Sequence, residues 1–336
     1  MAGDPNLAAT PHTFSLLRLL VDEQFHSGEV LAQRLGISRA SVSNALRCAD
    51  GYGLRLYRIR GRGYCLNDPP QWLDAGRISA HLGILAEEFR IEVLDQAPSS
   101  NTLLLHRATQ GAPGGSVLAV EWQSAGRGRM GRVWHSGLGN ALTFSLLWRF
   151  ELGLAALSGL SLAAGIAVAR ALHALGFSDA QLKWPNDVLG PEGKLAGILI
   201  EAQGDMLGPS AAVIGIGLNV SQPRQFSQID QPVSTLATMA ANRPGTVIPE
   251  RNALLAAILR ELHRVLKQFS HEGFEALRDE WESYHALHNR SVRLSLPDGT
   301  AVTGVVRGVS REGALMLETG QGRQTFHAGE VSVRAS

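Results

Sequence analysis

The sequence predicts an α+β protein of several domains: an N-terminal helix-turn-helix domain, a central α/β domain on a mixed sheet, and a small C-terminal SH3-like β-barrel. Three observations support this fold class. Residues 14–66 contain short amphipathic helical patterns followed by a basic hairpin pattern. Residues 79–285 mix apolar strand patterns with longer helical patterns. Residues 289–336 contain short alternating strands joined by glycine-containing turns.

Composition excludes several classes of protein. The chain has 336 residues, enough for two or three domains, and its net charge is only +1, so a nucleic-acid site would have to be a local patch. Two cysteines exclude a disulfide scaffold, and no Cys/His cluster has zinc spacing. The N-terminus lacks a signal-peptide series, so we expect a cytoplasmic protein. The apolar stretch 153–176 is expected to be a buried helix and not a membrane span, because Arg170 and His173 interrupt it.

Helix-turn-helix spacing occurs around Gly36, which separates the two short amphipathic segments SGEVLAQRL and SRASVSNALRCAD. Ser38 can cap the N-terminus of the second segment. Val42 and Leu46 are four residues apart and can face the core together. The sequence therefore predicts two helices that meet at a glycine turn.

A basic hairpin follows, with a predicted strand over 56–60, a turn at 61–63 and a return strand over 64–66. Residues 31–64 carry seven arginines and one acid, a local charge of +6. A basic patch on a helix-turn-helix with a hairpin is typical of a winged-helix DNA-binding domain, and a solvated basic face is the alternative. The candidate DNA contacts are Arg39, Ser41, Asn44, Arg47, Arg58, Arg60 and Arg62.

The middle of the chain contains strands that often follow one another through loops, which favours a mixed sheet over a doubly wound one. The predicted strands are 116–122, 141–150, 194–203 and 211–220. The predicted helices are 79–89, 158–175, 251–270 and 272–284. Because Pro69-Pro70 breaks the first pattern, we expect a winged helix-turn-helix domain over 1–68, the α/β domain over 79–285 and the β-barrel over 286–336.

Residues 126–136, GRGRMGRVWHS, alternate glycine with arginine, which suits a loop that approaches an anion closely. The loop fits the dinucleotide fingerprint in letters, but no helix follows to receive a pyrophosphate. It also fits a kinase glycine loop, but the lysine, H-R-D and D-F-G motifs of kinases do not occur in the chain. An exposed connector remains the structural alternative.

Three further motifs follow the glycine loop in order: KWPND at 183–187, KLAGIL at 194–199 and GIGLNV at 215–220. Lysine, arginine and backbone N–H groups can together neutralise a phosphate and a carboxylate. Asp187 could hold Mg²⁺, which usually takes one or two carboxylates plus substrate phosphates. Each motif alone has a structural alternative, such as a surface lysine or a turn residue. The ordered set together indicates a site that binds a phosphate and a carboxylate.

This ordered set, GRGRMGRVW, KWPNDV, KLAGILIE and GIGLNV, resembles the catalytic domain of the biotin–protein ligases. With a winged helix in front and a small barrel behind, the chain is similar to the bifunctional bacterial form, which is both biotin ligase and biotin operon repressor. The resemblance covers nearly the whole chain, from about residue 14 to the end.

The resemblance implies a two-step reaction that uses biotin, ATP and Mg²⁺. The biotin carboxylate attacks the α-phosphate of ATP to give biotinyl-5′-AMP and pyrophosphate, and a lysine of biotin carboxyl carrier protein then attacks the mixed anhydride. The adenylate is also expected to order the glycine loop and to promote a homodimer that matches a palindromic operator DNA. No membrane partner is expected.

Residue roles also follow from the resemblance, position by position. The expected biotin-binding residues are Ser99, Ser100, Asn101, Gln123, Arg127, Gly128, Arg129 and Lys194. The expected ATP or adenylate contacts are Arg132, Trp134, Lys183, Asn186 and Asn219, with the Trp134 ring stacked on adenine. Asp187 is the candidate Mg²⁺ ligand.

The sequence departs from the family pattern at three positions. Pro98 stands where the family usually has Asp, Ser100 replaces Thr but keeps the hydroxyl, and Met130 stands where another arginine is common. No ligand contacts are assigned within 221–240. Two alternatives stay open: a lipoate–protein ligase, which shares the fold and the adenylation step, and a ligand-sensing repressor without ligase turnover.

Overall fold

The computed structural model describes residues 10–135, 137–222, 231–296, 300–327 and 332–335. These residues form two compact units. One comprises the described residues up to 72 with 137–141 and 222, and the other comprises 73–135, 142–221 and the described residues from 231 onward. Residues 223–230, inside the stretch to which no ligand contacts were assigned, lie outside the described part of the chain.

The first unit contains a helix-turn-helix followed by a hairpin. Its elements are α1 (Thr13–Arg18), α2 (Gly28–Leu35), α3 (Arg39–Ala45), β1 (Arg55–Ile59) and β2 (Gly63–Asn67). α2 ends at Gly36, whose φ of 64° is left-handed, and Ser38 Oγ caps α3 by accepting from Ser41 N at 3.0 Å. Val42 and Leu46 are fully buried, as their spacing predicts.

The hairpin forms the wing of this unit. β1 pairs antiparallel with β2, and Tyr64 on the far side of β2 exchanges two backbone hydrogen bonds with His26 at 2.8 and 2.9 Å. The predicted strand 56–60 is one residue too late, because β1 ends at Ile59 and Arg60 already lies in the turn. Side-chain alternation applies only within the strand, so the spacing of Arg58 and Arg60 does not place the two side chains on one face.

The second unit is organised around a seven-stranded mixed sheet. Its strands are β3 (Arg90–Ala97), β4 (Ser116–Gln123), β5 (Ala141–Phe150), β6 (Gln181–Lys183), β7 (Asp187–Gly190), β8 (Gly193–Gly204) and β9 (Ser210–Asn219). They lie in the order β3-β4-β5-β9-β8-β7-β6. The β3–β4 pair is parallel and the β7–β8–β9 neighbours are antiparallel, which confirms the predicted mixed sheet.

Helices cover both faces of this sheet. They are α4 (Ala75–Leu82), α5 (Ser100–Thr109), α6 (Leu160–Ala174), α7 (Leu236–Ala241), α8 (Arg251–Glu272) and α9 (Arg278–Ser283). Alternate residues of β4 serve two cores: Val117 and Ala119 join the core that contains α6 and α8, and Leu118 and Val120 join a smaller core with Leu104 of α5. The N-terminus of α5 is thereby held over one face of the sheet.

Within the apolar stretch 153–176, residues Leu160–Ala174 form α6, which packs against α8 and is buried along most of its length, and a 3₁₀ turn at Leu154–Leu157 precedes it. A helix that is apolar on all sides suits such a position. In the described part of the chain, no helix combines the length and the apolar character that crossing a bilayer requires.

Two predicted helices differ from the observed ones for the same reason. The helix predicted over 79–89 is α4 followed by a 3₁₀ turn at Gly83–Glu88, because Gly83 takes a φ of 62°. The helix predicted over 272–284 begins only after Gly273, whose φ is 68°, with a 3₁₀ turn at Glu275–Leu277 before α9. A left-handed glycine interrupts the α-helical hydrogen bonds at each point.

The C-terminal region forms a small antiparallel β-domain, as predicted. Its strands are β10 (Ser291–Ser295), β11 (Ala301–Val309), β12 (Leu315–Thr319), β13 (Gly322–Phe326) and β14 (Ser332–Ala335), in the order β13-β12-β11-β10-β14. The first of the predicted glycine-containing turns, Pro-Asp-Gly at 297–299, lies outside the described residues. The domain contacts the KWPND segment, because buried Trp184 Nε1 donates to Gly313 O at 3.0 Å.

His285 joins α9 to this β-domain and is 6% exposed, with its ring 4.4 Å from the Trp281 ring. Neither ring nitrogen has a hydrogen-bond partner among the described residues. Burial, reinforced by the charge of His288, lowers the pKa of His285 from 6.5 to about 4. This histidine therefore takes up a proton near pH 6.5 in the unfolded chain but only near pH 4 in the folded chain. Proton binding between these values favours the unfolded chain, so the free energy of unfolding decreases as pH falls from 6.5 to 4.

Between pH 7 and pH 4.5, we expect the free energy of unfolding to fall less in His285→Phe than in the wild type. The difference should be up to about 3 kcal/mol for a pKa shift of this size. Urea unfolding at both pH values measures it. His271→Gln is the matched control, because His271 is exposed at the end of α8. Equal pH slopes for the wild-type chain and His285→Phe would contradict the assignment.

Candidate active site

A cavity of about 620 Å³ opens on the face of the mixed sheet that carries the N-terminus of α5. It is lined by all but one of the ligand-binding residues that the resemblance implies: Ser99, Ser100, Asn101, Gln123, Arg127, Gly128, Arg129, Arg132, Trp134, Lys183, Asn186, Asp187 and Lys194. Five of these side chains are cationic and only Asp187 is a carboxylate. A chain with a net charge of +1 thus concentrates positive charge in one cavity, which suits a polyanionic ligand.

The N-terminus of α5 forms the polar end of the cavity. Ser99 Oγ accepts from Thr102 N at 3.4 Å, and the Ser100 N–H donates to Gln123 Oε1 at 2.7 Å. Ser145 Oγ, from β5, lies 2.8 Å from Ser100 Oγ and 2.6 Å from Asn101 Oδ1. This buried hydroxyl and amide network fixes the rotamers of groups that can recognise a polar ligand.

Glycines on the sheet make room for two of these side chains. A Cβ on Gly215 would lie 2.1 Å from Asn101 Oδ1, and one on Gly217 would lie 2.4 Å from the Trp134 ring. The approach at Gly197 is looser, because a Cβ there would lie 3.1 Å from Lys194 Cε and 3.4 Å from the Trp134 ring. The two glycines of GIGLNV are therefore required by close approach and not by turns.

The Gly/Arg loop, residues 126–134, is an ordered turn. Gly128 N donates to Arg132 O at 2.7 Å and Trp134 N donates to Gly126 O at 2.9 Å. Met130 lies at its tip with a φ of 55° and an exposed side chain. Among the described residues, the next element after the loop is the strand β5 and not a helix, in agreement with the rejection of a dinucleotide fingerprint.

The arginines of the loop are directed to different partners. Arg127 Nη2 lies 2.8 Å from both carboxylate oxygens of Glu201, and Arg129 Nη1 donates to Asn186 Oδ1 at 3.3 Å. Burial lowers the pKa of Arg129, the nearby Asp187 opposes this effect and Arg132 adds to it. Arg129 is thus a cation held in a site that favours an additional negative charge.

Lys194 and Asp187 form an ion pair across β7 and β8, with Nζ 2.6 Å from Oδ1 and each side chain 20% exposed. The Lys194 ammonium is 6.0 Å from the centre of the Trp134 ring, whose Nε1 is buried without a hydrogen-bond partner among the described residues. Asn219 does not line the cavity, and its Nδ2 donates to Lys194 O at 3.1 Å. Asn219 therefore positions the lysine backbone.

Among the residues that line the cavity, Asp187 is the one carboxylate that could bind a magnesium ion. The described residues contain no group of three or more His, Cys, Asp or Glu side chains that could hold a metal. Asp187 can still offer Oδ2, since Lys194 contacts Oδ1. One carboxylate plus substrate phosphates is a common environment for Mg²⁺, so Asp187 fits that role.

Sequence reasoning missed Glu201 and Ser145. Glu201 follows the apolar run of KLAGILIE on β8, and Ser145 lies in the middle of the apolar run of β5. A polar residue inside an otherwise apolar strand is a usable signal, because a buried polar group needs a partner. The partners themselves come from distant parts of the chain.

The candidate DNA contacts lie on the surface of the first unit. Arg39, Asn44, Arg47, Arg58, Arg60 and Arg62 are exposed and Ser41 is half-buried. Three of the arginines already have partners: Arg47 donates to Asn44 Oδ1, Arg58 donates to Leu46 O at the end of α3, and Arg62 lies 4.2 Å from the centre of the Phe25 ring. Arg58 thus stabilises α3, whatever else it contacts.

Comparison with known proteins gives one consistent family. Residues 93–219 match the biotin/lipoate A/B protein ligase family, residues 287–334 match the biotin protein ligase C-terminal domain and residues 12–65 match an HTH domain. The bifunctional ligase/repressor BirA of Escherichia coli is 37% identical, and that of Salmonella typhimurium 36%, over 96% of this chain and 97% of theirs. Biotin protein ligase from Aquifex aeolicus in complex with biotin and ATP superposes with a TM-score of 0.63 at 29% identity, covering 74% of this chain and 99% of that one. The chain therefore belongs to the biotin/lipoate protein ligase family, among its bifunctional ligase/repressors with an N-terminal helix-turn-helix domain.

Proposed function

We propose that this chain uses ATP to convert biotin to biotinyl-5′-AMP, transfers the biotinyl group to a lysine of biotin carboxyl carrier protein, and represses biotin synthesis when the adenylate-bound homodimer binds operator DNA. The observation that supports this best is that five cationic side chains and the Ser100–Asn101–Ser145 hydrogen-bond network lie in the same cavity. Such a cavity suits a ligand with one polar uncharged end and one phosphate-bearing end.

The proposed first step needs charge stabilisation and no protein nucleophile. The biotin carboxylate oxygen forms a bond to the α-phosphorus, and the bond from that phosphorus to the departing pyrophosphate breaks. Lys194, Arg129 and Arg132 offset the negative charge that collects on the phosphate oxygens. Magnesium held by Asp187 would supply further neutralisation of the phosphates.

The second step transfers the acyl group. The amine of the carrier lysine attacks the anhydride carbonyl, AMP leaves, and the amine gives up a proton as the amide forms. The Gly/Arg loop would exclude water from the anhydride until the carrier arrives. Trp134 lines the cavity, where its ring would stack on the adenine of the adenylate.

Incubation with ATP, Mg²⁺ and biotin, followed by mass spectrometry, tests the enzymatic half of the proposal. We expect biotinyl-5′-AMP to form, and no adenylate would contradict it. Lipoate is the matched alternative acid in the same assay and in calorimetry. Tight binding of lipoate without binding of biotin would favour a lipoate–protein ligase.

A repressor that senses its ligand without turnover is the second alternative. Transfer of biotin to the lysine of a carrier domain separates the two, because a sensor binds the adenylate but releases no biotinylated carrier. A ligase without a regulatory role would transfer biotin and would not shift operator DNA even with adenylate present.

Arg60→Ala is expected to weaken operator binding and to lower the salt slope of log K by about one unit, because one phosphate contact is lost. Biotin transfer should be unchanged, since Arg60 lies in the turn of the wing. Arg60 is a cleaner test than Arg58, which also contacts Leu46 O. Gel shifts at several salt concentrations measure it, and an unchanged slope would remove Arg60 from the DNA surface.

A further inference from the structure

Consecutive residues of the segment after Pro69-Pro70 are held by different units. The ring of Trp72 packs within the first unit, with its centre 6.5 Å from the Phe14 ring and 4.2 Å from Arg18 Cζ. The next residue, Leu73, belongs to the second unit, where its side chain is buried and joins the main core. The segment that joins the two units is therefore fixed on both sides of one peptide bond.

Two side chains of the second unit accept hydrogen bonds from the backbone of this segment. Glu121 Oε1, on β4, accepts from Leu73 N at 2.5 Å, and Asn252 Oδ1, in the first turn of α8, accepts from Asp74 N at 2.8 Å. Glu121 Oε2 in turn accepts from Arg251 Nη1 at 2.7 Å. We call Glu121, Arg251 and Asn252 the linker anchor, since together they hold two successive backbone N–H groups.

The ion pair of the linker anchor is the most deeply buried one among the described residues, with the Arg251 side chain 2% exposed and the Glu121 side chain fully buried. Removing two charges from water is costly, and apolar side chains of similar volume often give equal or greater stability. The first turn of a helix also disfavours a cation, because the helix dipole is positive there, so α8 gains nothing from Arg251. The pair instead supplies a fixed acceptor for the Leu73 N–H.

We propose that the linker anchor holds the segment between the two units in one conformation, and that adenylate-dependent operator binding requires this anchor whereas biotin transfer does not. A dimer on paired half-sites must present its two helix-turn-helix motifs at a set spacing. A segment that is already ordered costs no further conformational entropy when the DNA binds. The consequence for DNA rests on the proposed function, whereas the hold on the segment does not.

Two double variants that differ only at position 121 test the anchor. Glu121→Met with Arg251→Met replaces the buried pair by apolar side chains, so the thermal midpoint should be kept while the Leu73 N–H loses its acceptor. Glu121→Gln with Arg251→Met retains an amide oxygen as the acceptor. Hydrogen exchange at the Leu73 amide, followed in overlapping peptides by mass spectrometry, should be about tenfold faster in the first variant than in the second. Equal rates would overturn the anchor.

Asn252→Ala is an independent variant, because it removes the acceptor of the Asp74 N–H and leaves the ion pair in place. Exchange at the Asp74 amide should become about tenfold faster. This variant decides the result if the double variants do not fold, and unchanged exchange at Asp74 would overturn the anchor. Gln268→Ala is the matched control on the same helix, where Gln268 donates to Glu272, and it should leave exchange at Asp74 unchanged.

Gel shifts with preformed adenylate supply the second readout, on a DNA duplex that carries the promoter of the biotin-synthesis genes. Glu121→Met with Arg251→Met should bind this duplex about tenfold more weakly than the wild type, while biotin transfer to the carrier is unchanged. Unchanged DNA affinity, or transfer that falls in parallel, would overturn the proposal. A wild-type chain that forms no adenylate would contradict the proposed function, and the exchange rates would still decide whether the anchor holds the segment.

Discussion

Lys194→Gln is expected to lower the rate of biotinyl-adenylate formation by about 10²- to 10³-fold, the usual cost of removing one preorganised group that stabilises transition-state charge. Lys194 Nζ lies in the cavity with only 20% of the side chain exposed, beside the Trp134 ring. Glutamine keeps most of the length and removes the charge. Single-turnover formation of adenylate, followed by mass spectrometry, measures the effect.

Lys194→Arg keeps a positive charge beside Asp187 and is therefore expected to retain more activity than Lys194→Gln. Lys267, the remaining lysine besides Lys183 and Lys194, is exposed on α8, so Lys267→Gln is the matched control and should retain full activity. Normal adenylate formation by Lys194→Gln would contradict the role.

Arg129→Ala is expected to speed dissociation of preformed adenylate by about tenfold or more, because Arg129 holds the centre of the Gly/Arg loop against Asn186 of KWPND. The Arg129 side chain is half-buried, which lowers the pKa of its guanidinium, and an adenylate phosphate would compensate that desolvation. Stopped-flow or filter-binding chase experiments measure the off-rate.

The control for Arg129→Ala is Arg264→Ala on the exposed face of α8, where the arginine pairs only with the neighbouring Glu261 among the described residues. Arg264 is 59% exposed and lies outside the cavity, so release of the adenylate should be unchanged. An unchanged off-rate for Arg129→Ala would remove it from the closed loop. A faster off-rate of the adenylate with unchanged affinity for biotin would indicate that Arg129 contacts the phosphate of the adenylate.

Local sequence signals predicted the N-terminal unit well. Ser38, Gly36 and the Val42–Leu46 spacing encode the turn and its two helices within eleven residues, and all take the predicted places. The errors came where a periodic pattern continued across a glycine. At Gly83 the apolar spacing predicted more helix, but the backbone turned left-handed, since periodicity reports which face is buried and not where hydrogen bonding stops.

The sequence also missed α5, because Ser99-Ser100-Asn101 follows a proline and is typical of a loop as much as of a helix start. In the structure the Ser99 side chain caps the helix, and the same residues face the cavity. A capping segment and a ligand-binding segment use the same polar residue types, so composition cannot separate them.

The sequence by itself determined the family, the order of the motifs and most of the polar residues that line the cavity, because glycine spacing and charged residues at fixed offsets are local properties of the chain. Tertiary structure decided which of those residues act together. Arg127 meets Glu201 and Asn101 meets Ser145 only because β5, β8 and β9 lie side by side in the sheet. Partners so far apart in the chain leave no local pattern, since hydrogen bonds depend on distances in space that only the packed sheet sets.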